Sequence, residues 1–133
     1  EPSTEQLTAP RRARYAELSN VYAASREVPF GYDGYTLSCS DLHIDGIRCV
    51  VAQMDTNSLM PDAWNGWRTT GGTGMPHTYA LESELARAKA ILAVAEGQRA
   101  RCFSVFLNHM DAIDAMTTAE GLSSYDITTG WPT

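Results

Sequence analysis

Residues 35–54 read YTLSCSDLHIDGIRCVVAQM, and the fold turns on them. Tyr35–Ile44 and Ile47–Met54 are both rich in β-prone side chains, and Asp45-Gly46 separates them. An Asp-Gly pair between two such runs suits a type I′ turn, whose central positions both need φ > 0. The reading is therefore a β-hairpin over 35–54. Its register sets Ile44 opposite Ile47, His43 opposite Arg48, Leu42 opposite Cys49 and Asp41 opposite Val50. Because side chains alternate between faces, Leu42, Ile44, Ile47, Cys49 and Val51 form a core face. Asp41, His43 and Arg48 share the other face at the tip. Cys39 and Cys49 fall on opposite faces, so the register predicts no bond between them.

On the N-terminal side, residues 1–8 are polar and expected to fray. Thr8 can cap a helix, and Pro10 fits its first turn. Tyr15, Leu18 and Tyr22 keep helical spacing to about Ser25. On the C-terminal side, 55–77 lacks periodicity and reads as a long loop. A second helix is predicted over 78–96, with Leu81, Leu85, Ala88 and Leu92 on one stripe and Gly97 just past its end. Cys102–Leu107 is short and apolar, which predicts a strand over 102–107. A short helix is expected over 108–116 and an edge strand over 125–128. The fold class that follows is α+β: a small, mostly antiparallel sheet with two longer helices and one short one. The 133 residues fit one compact domain, 1–133.

Charge narrows the function. Ten basic side chains face sixteen acidic ones, for a net charge of −6. Nucleic-acid binders neutralise phosphates with Lys and Arg, so no nucleic-acid partner is expected. An acidic chain is also repelled by anionic lipid surfaces, and no apolar run approaches the ~18 residues of a membrane span. Three widely spaced cysteines, Cys39, Cys49 and Cys102, fit no metal motif and read as free thiols of a cytoplasmic protein. The chain starts at Glu1 and not at methionine, so removal of a signal peptide is the competing reading. No metal and no cofactor is expected.

Four constellations merit weighing. Asp41, His43 and Arg48 at the hairpin tip place a carboxylate and a cation beside an imidazole, as a general base requires. Thr69–Gly74 is glycine-rich and leads through His77 toward a helix, yet no P-loop lysine follows. His109, Asp111 and Asp114 offer too few ligands for a metal. Trp64, Trp67 and Trp131 are large aromatics in loop or tail, where indoles anchor partners, stack on a small ligand or cover the chain's own core. The basic run Arg11-Arg12-Ala13-Arg14 reads as a solvated turn or a patch for an acidic partner. The expectation is a small acidic interaction module that binds a protein partner or its own copies through Trp64, Trp67 and Trp131, with a small ligand as a lesser occupant. The first alternative is a hydrolase- or lyase-type enzyme using His43 or His77 with Asp41 and Arg48. The second is a structural subunit of an assembly.

Overall fold

Apolar residues at Ile44, Ile47, Val51 and Met54 recur every three or four positions, and in the structure they form one face of a helix. The structure is a computed structural model that describes residues 4–61, 66–75 and 80–132. Its elements run α1 (Thr4–Ser25), β1 (Phe30–Tyr32), β2 (Tyr35–Leu37), α2 (Asp41–Asn57), α3 (Leu81–Ala115) and α4 (Ala119–Ser124). The class is α+β, with four helices and one two-stranded antiparallel sheet among the described residues. No described helix is long and apolar enough to cross a membrane.

The hairpin lies earlier in the chain than the sequence suggested. β1 and β2 pair Phe30 with Leu37, Gly31 with Thr36 and Tyr32 with Tyr35. The turn is Asp33-Gly34, and both residues have positive φ. The same Asp-Gly chemistry therefore operates twelve residues upstream of Asp45-Gly46. Residues 41–54 are helical because Ser40 caps them: its side chain accepts the His43 N–H, and Asp41 sits in the positive first turn. Gly46 is inside α2, where a Cβ would meet nothing within 4 Å. Ser58 closes the helix in the left-handed conformation, its N–H on the Gln53 carbonyl. Leu42, assigned to the core face by the strand pleat, is 86% exposed.

The strand expected over 102–107 is also helix. α3 is continuous for 35 residues and absorbs the helices predicted over 78–96 and 108–116. Its buried positions Ala88, Ile91, Ala95, Gln98, Cys102, His109 and Ile113 keep helical spacing. The edge strand expected over 125–128 is instead a turn after α4, held by Thr128 N–H and Oγ1 on the Asp126 carboxylate. At the other end, α1 begins at Thr4. Leu7 is buried, so the frayed segment ends sooner than predicted and Pro10 is inside the helix.

The chain divides into two compact units. One comprises Glu27–Gln98, with a core of Phe30, Leu37, Cys39, Ile44, Ile47, Trp67, Met75, Ile91 and Ala95. Isolated bridges from Leu37 to Thr69 and from Arg68 to Gly74 tie the 66–75 segment to it. The Gln98 side chain donates to the Val28 carbonyl, 3.0 Å away. The other unit comprises the chain up to Arg26 together with Arg99–Pro132. Its core is Leu7, Leu18, Ile113, Leu122 and Ile127, with Tyr15, Phe106 and Trp131 packed against it. All three cysteines are free: Cys39 and Cys102 are buried and Cys49 is exposed.

Candidate functional site

The helical geometry of α2 separates the residues that the hairpin reading gathered. Asp41 and His43 are two apart, roughly 200° around a helix, and so point in different directions. The Asp41 N–H donates to the Glu27 carboxylate, 2.7 Å away. Arg48 pairs with Glu96 at 2.7 Å and with Asp45 at 3.4 Å. His43 turns elsewhere: its Nε2 accepts the Arg68 N–H at 3.3 Å, and its ring lies 5.3 Å from that of Trp67. The arrangement is a half-buried structural contact. Asp41, His43 and Arg48 do not meet, and His77, named with them, lies outside the described residues.

His43 does carry a measurable consequence. Its pKa is held below the ordinary 6.5, first because burial disfavours the charged ring and second because the Arg68 guanidinium is close. The unfolded chain therefore takes up this proton at a higher pH than the folded one. Stability is at its full value above about pH 6.5 and falls as the pH drops toward the folded value. In His43→Gln, thermal unfolding should lose part of the pH dependence that the parent shows between about pH 7 and pH 5. The same slope in both proteins would contradict this placement of the ring.

The glycine loop closes on itself. Thr69 N–H and Oγ1 both donate to the Thr73 carbonyl, Gly72 N–H donates to Thr69 and Arg68 donates to the Gly72 carbonyl. The Thr69 and Gly72 amides therefore face their own loop and do not point at a phosphate. Trp67 is buried, 2% exposed, with its indole N–H on the Ser38 carbonyl at 3.0 Å. It is a core residue, which corrects its assignment to a docking surface. Trp64 lies outside the described residues. Glu84, in the first turn of α3, is 1% exposed in the same unit.

The basic run of α1 also acts internally. Arg11 donates to the Met116 carbonyl at 2.7 Å, just beyond the end of α3, and Arg14 donates to the Tyr125 carbonyl that closes α4. Carbonyls at helix C-termini lack intrahelical partners and lie at the negative end of the dipole. Two arginines on one face of α1 supply both the donors and the charge. Arg14 also pairs with Glu17.

A run of exposed apolar side chains in ring contact lies on α3. Phe103 and Leu107 are 49% and 43% exposed and lie one helical turn apart. Phe103 stacks on Phe106 at 6.3 Å, and Tyr22 reaches both, at 6.3 and 4.9 Å. Trp131 extends the row, 6.4 Å from Tyr22 and 5.5 Å from the ring of His109. The tail that carries it is pinned in three places. His109 Nε2–H donates to the Thr129 carbonyl at 2.9 Å, Tyr125 O–H donates to His109 Nδ1 at 2.5 Å, and the Trp131 indole N–H donates to the Ile127 carbonyl at 2.8 Å. Burial and the Asp126 carboxylate push the Tyr125 phenol above its ordinary pKa, which keeps its proton available for that bond. Sequence reasoning missed this row because Phe103 and Phe106 were assigned to a buried strand. Their spacing of three, with Leu107 four beyond Phe103, is the signal that reveals it. No known protein family matches the chain, and no curated protein or solved structure matches it either.

Proposed function

We propose that the chain is a small protein-interaction module that docks through the aromatic row of α3, α1 and the tail. The observation that carries this reading is the exposed Phe103–Leu107 pair, continuous through ring contacts with Tyr22, Phe106 and Trp131. Contiguous exposed aromatic surface marks interaction sites, whereas scattered apolar residues do not. Aromatic anchors supply most of the binding energy in such interfaces. Of the two indoles among the described residues, Trp67 is buried and Trp131 joins this surface, so this reading places docking on α3.

Charge supports the choice of unit. Residues 1–26 and 99–132 hold six arginines against seven acids, whereas 27–98 hold four basic side chains against nine acids. The aromatic row therefore sits on the nearly neutral unit, where a partner meets little net repulsion. Replacing Phe103 by aspartate should weaken association at least about thirtyfold, the effect of losing one central anchor. It should leave helical circular dichroism unchanged, because the ring is half in solvent. Sedimentation of the variant alone, and capture experiments from the native source, read this out. Association equal to that of the parent would overturn the reading.

A further inference from the structure

The chain holds two Asp-Gly pairs, Asp33-Gly34 and Asp45-Gly46, and the fold treats them oppositely. An aspartate before glycine can cyclise onto the next amide nitrogen, because glycine puts no side chain in the way. Asp33-Gly34 is the turn between β1 and β2. Both residues are exposed and both have positive φ, 50° and 82°. Among the described residues nothing accepts the Gly34 N–H, and no cation pairs with the Asp33 carboxylate. A Cβ on Gly34 would meet nothing within 4 Å, so a ring formed there has room. Asp45-Gly46 lies inside α2. Its glycine N–H belongs to the helical ladder, in which each N–H bonds the carbonyl four residues back. Ile44 and Ile47 on either side are buried. Cyclisation at Asp45 therefore requires the helix to open, whereas at Asp33 it requires rotation within an exposed two-residue turn.

We propose that Asp33-Gly34 is a site of spontaneous backbone modification, where aspartate converts to isoaspartate, and that α2 protects Asp45-Gly46 from the same reaction. The Gly34 nitrogen attacks Cγ of the Asp33 carboxyl group, and a C–N bond forms. The Cγ–O bond breaks, and that oxygen leaves as water with the amide proton. The product is a five-membered succinimide. Water then opens the ring at one of its two carbonyls. Attack at Cγ restores aspartate. Attack at the main-chain carbonyl carbon of Asp33 leaves Gly34 attached through Cγ, which is isoaspartate. One water leaves and one enters, so the reaction needs no other co-reactant.

The new linkage adds one carbon to the main chain of the turn. Turn length sets hairpin register, so the Tyr32–Tyr35 pair beside it is disturbed first. Phe30 and Leu37, the far pair of the same hairpin, are buried in the core with Trp67, and Leu37 also bridges to Thr69. Conversion at Asp33 therefore loosens the hold on residues 66–75.

The test is incubation of the full chain at neutral pH over weeks, then tryptic digestion and electron-transfer fragmentation, which tells isoaspartate from aspartate of equal mass. Both Asp-Gly pairs fall in one tryptic peptide, residues 27–48, and Asn65-Gly66 falls in the next. The folded protein should accumulate isoaspartate at position 33 and not at 45, and the chain kept in denaturant should accumulate it at both. The aged parent should show a lower denaturation midpoint. Asp33→Gly removes the carboxyl and suits positive φ, so its midpoint should hold over the same period. Equal accumulation at 33 and 45 in the folded protein overturns protection by α2. Accumulation in denaturant but none at 33 in the folded protein overturns the site, as does none in either. Isoaspartate at 33 with an unchanged midpoint overturns its link to the core.

Discussion

Replacing Trp67 by alanine is expected to destabilise the chain by about 3–5 kcal/mol, as removal of a buried tryptophan does when the surroundings cannot close the cavity. The indole lies edge-on to Phe30 at 5.8 Å and beside His43, at the centre of the core of residues 27–98. Its N–H occupies the Ser38 carbonyl, and truncation also removes that bond, adding about 1 kcal/mol. A small protein holds only about 5–15 kcal/mol in total, so this one change consumes a large share. Trp67→Phe keeps most of the apolar volume and should cost much less. Chemical denaturation distinguishes the two. A Trp67→Ala protein as stable as its parent would place the indole outside the core and return it to the list of surface anchors.

Gly46→Pro should cost about 3 kcal/mol or more, because proline inside a helix removes one backbone hydrogen bond and clashes with the preceding turn. The damage should spread beyond position 46. Ile44 and Ile47 flank it on the buried face of α2, and Met54 and Val51 continue that face. Loss of helical signal together with loss of cooperativity is the expected outcome, read by circular dichroism during denaturation. A small local effect would mean that this segment does not pack as a helix.

Much of the molecule was legible in its sequence, and the failures have specific causes. The α+β class, the first helix to Ser25 and the free thiols follow from composition and spacing. The stretch 41–54 carried two signals at once. Asp45-Gly46 argued for a turn, while Ile44, Ile47, Val51 and Met54 argued for a helix. Ser40 decided the matter, since a serine capping the first turn satisfies a backbone donor that a strand would not leave free. In α3 the seam passes through Gln98 and Arg99, two polar residues that are buried just after Gly97. Apolar periodicity breaks there even though the helix does not, and a 35-residue element read as three. The candidate site suffered from the same break. Once 102–107 became a strand, Phe103 and Phe106 fell on opposite faces. Arg11 and Arg14 could not be understood from the chain alone, because the carbonyls they hold lie more than a hundred residues away.

That residues 41–57 are a helix underlies the core around Trp67, and one substitution addresses it. Gly46 is exposed, and its missing Cβ would touch nothing. In a helix, Gly46→Ala should raise stability by about 0.5–1 kcal/mol, seen as a higher denaturation midpoint at unchanged slope. In a type I′ turn the same alanine would be forced to positive φ and would lower the midpoint. A rise is the result expected here; a fall would contradict the helix and the account built on it.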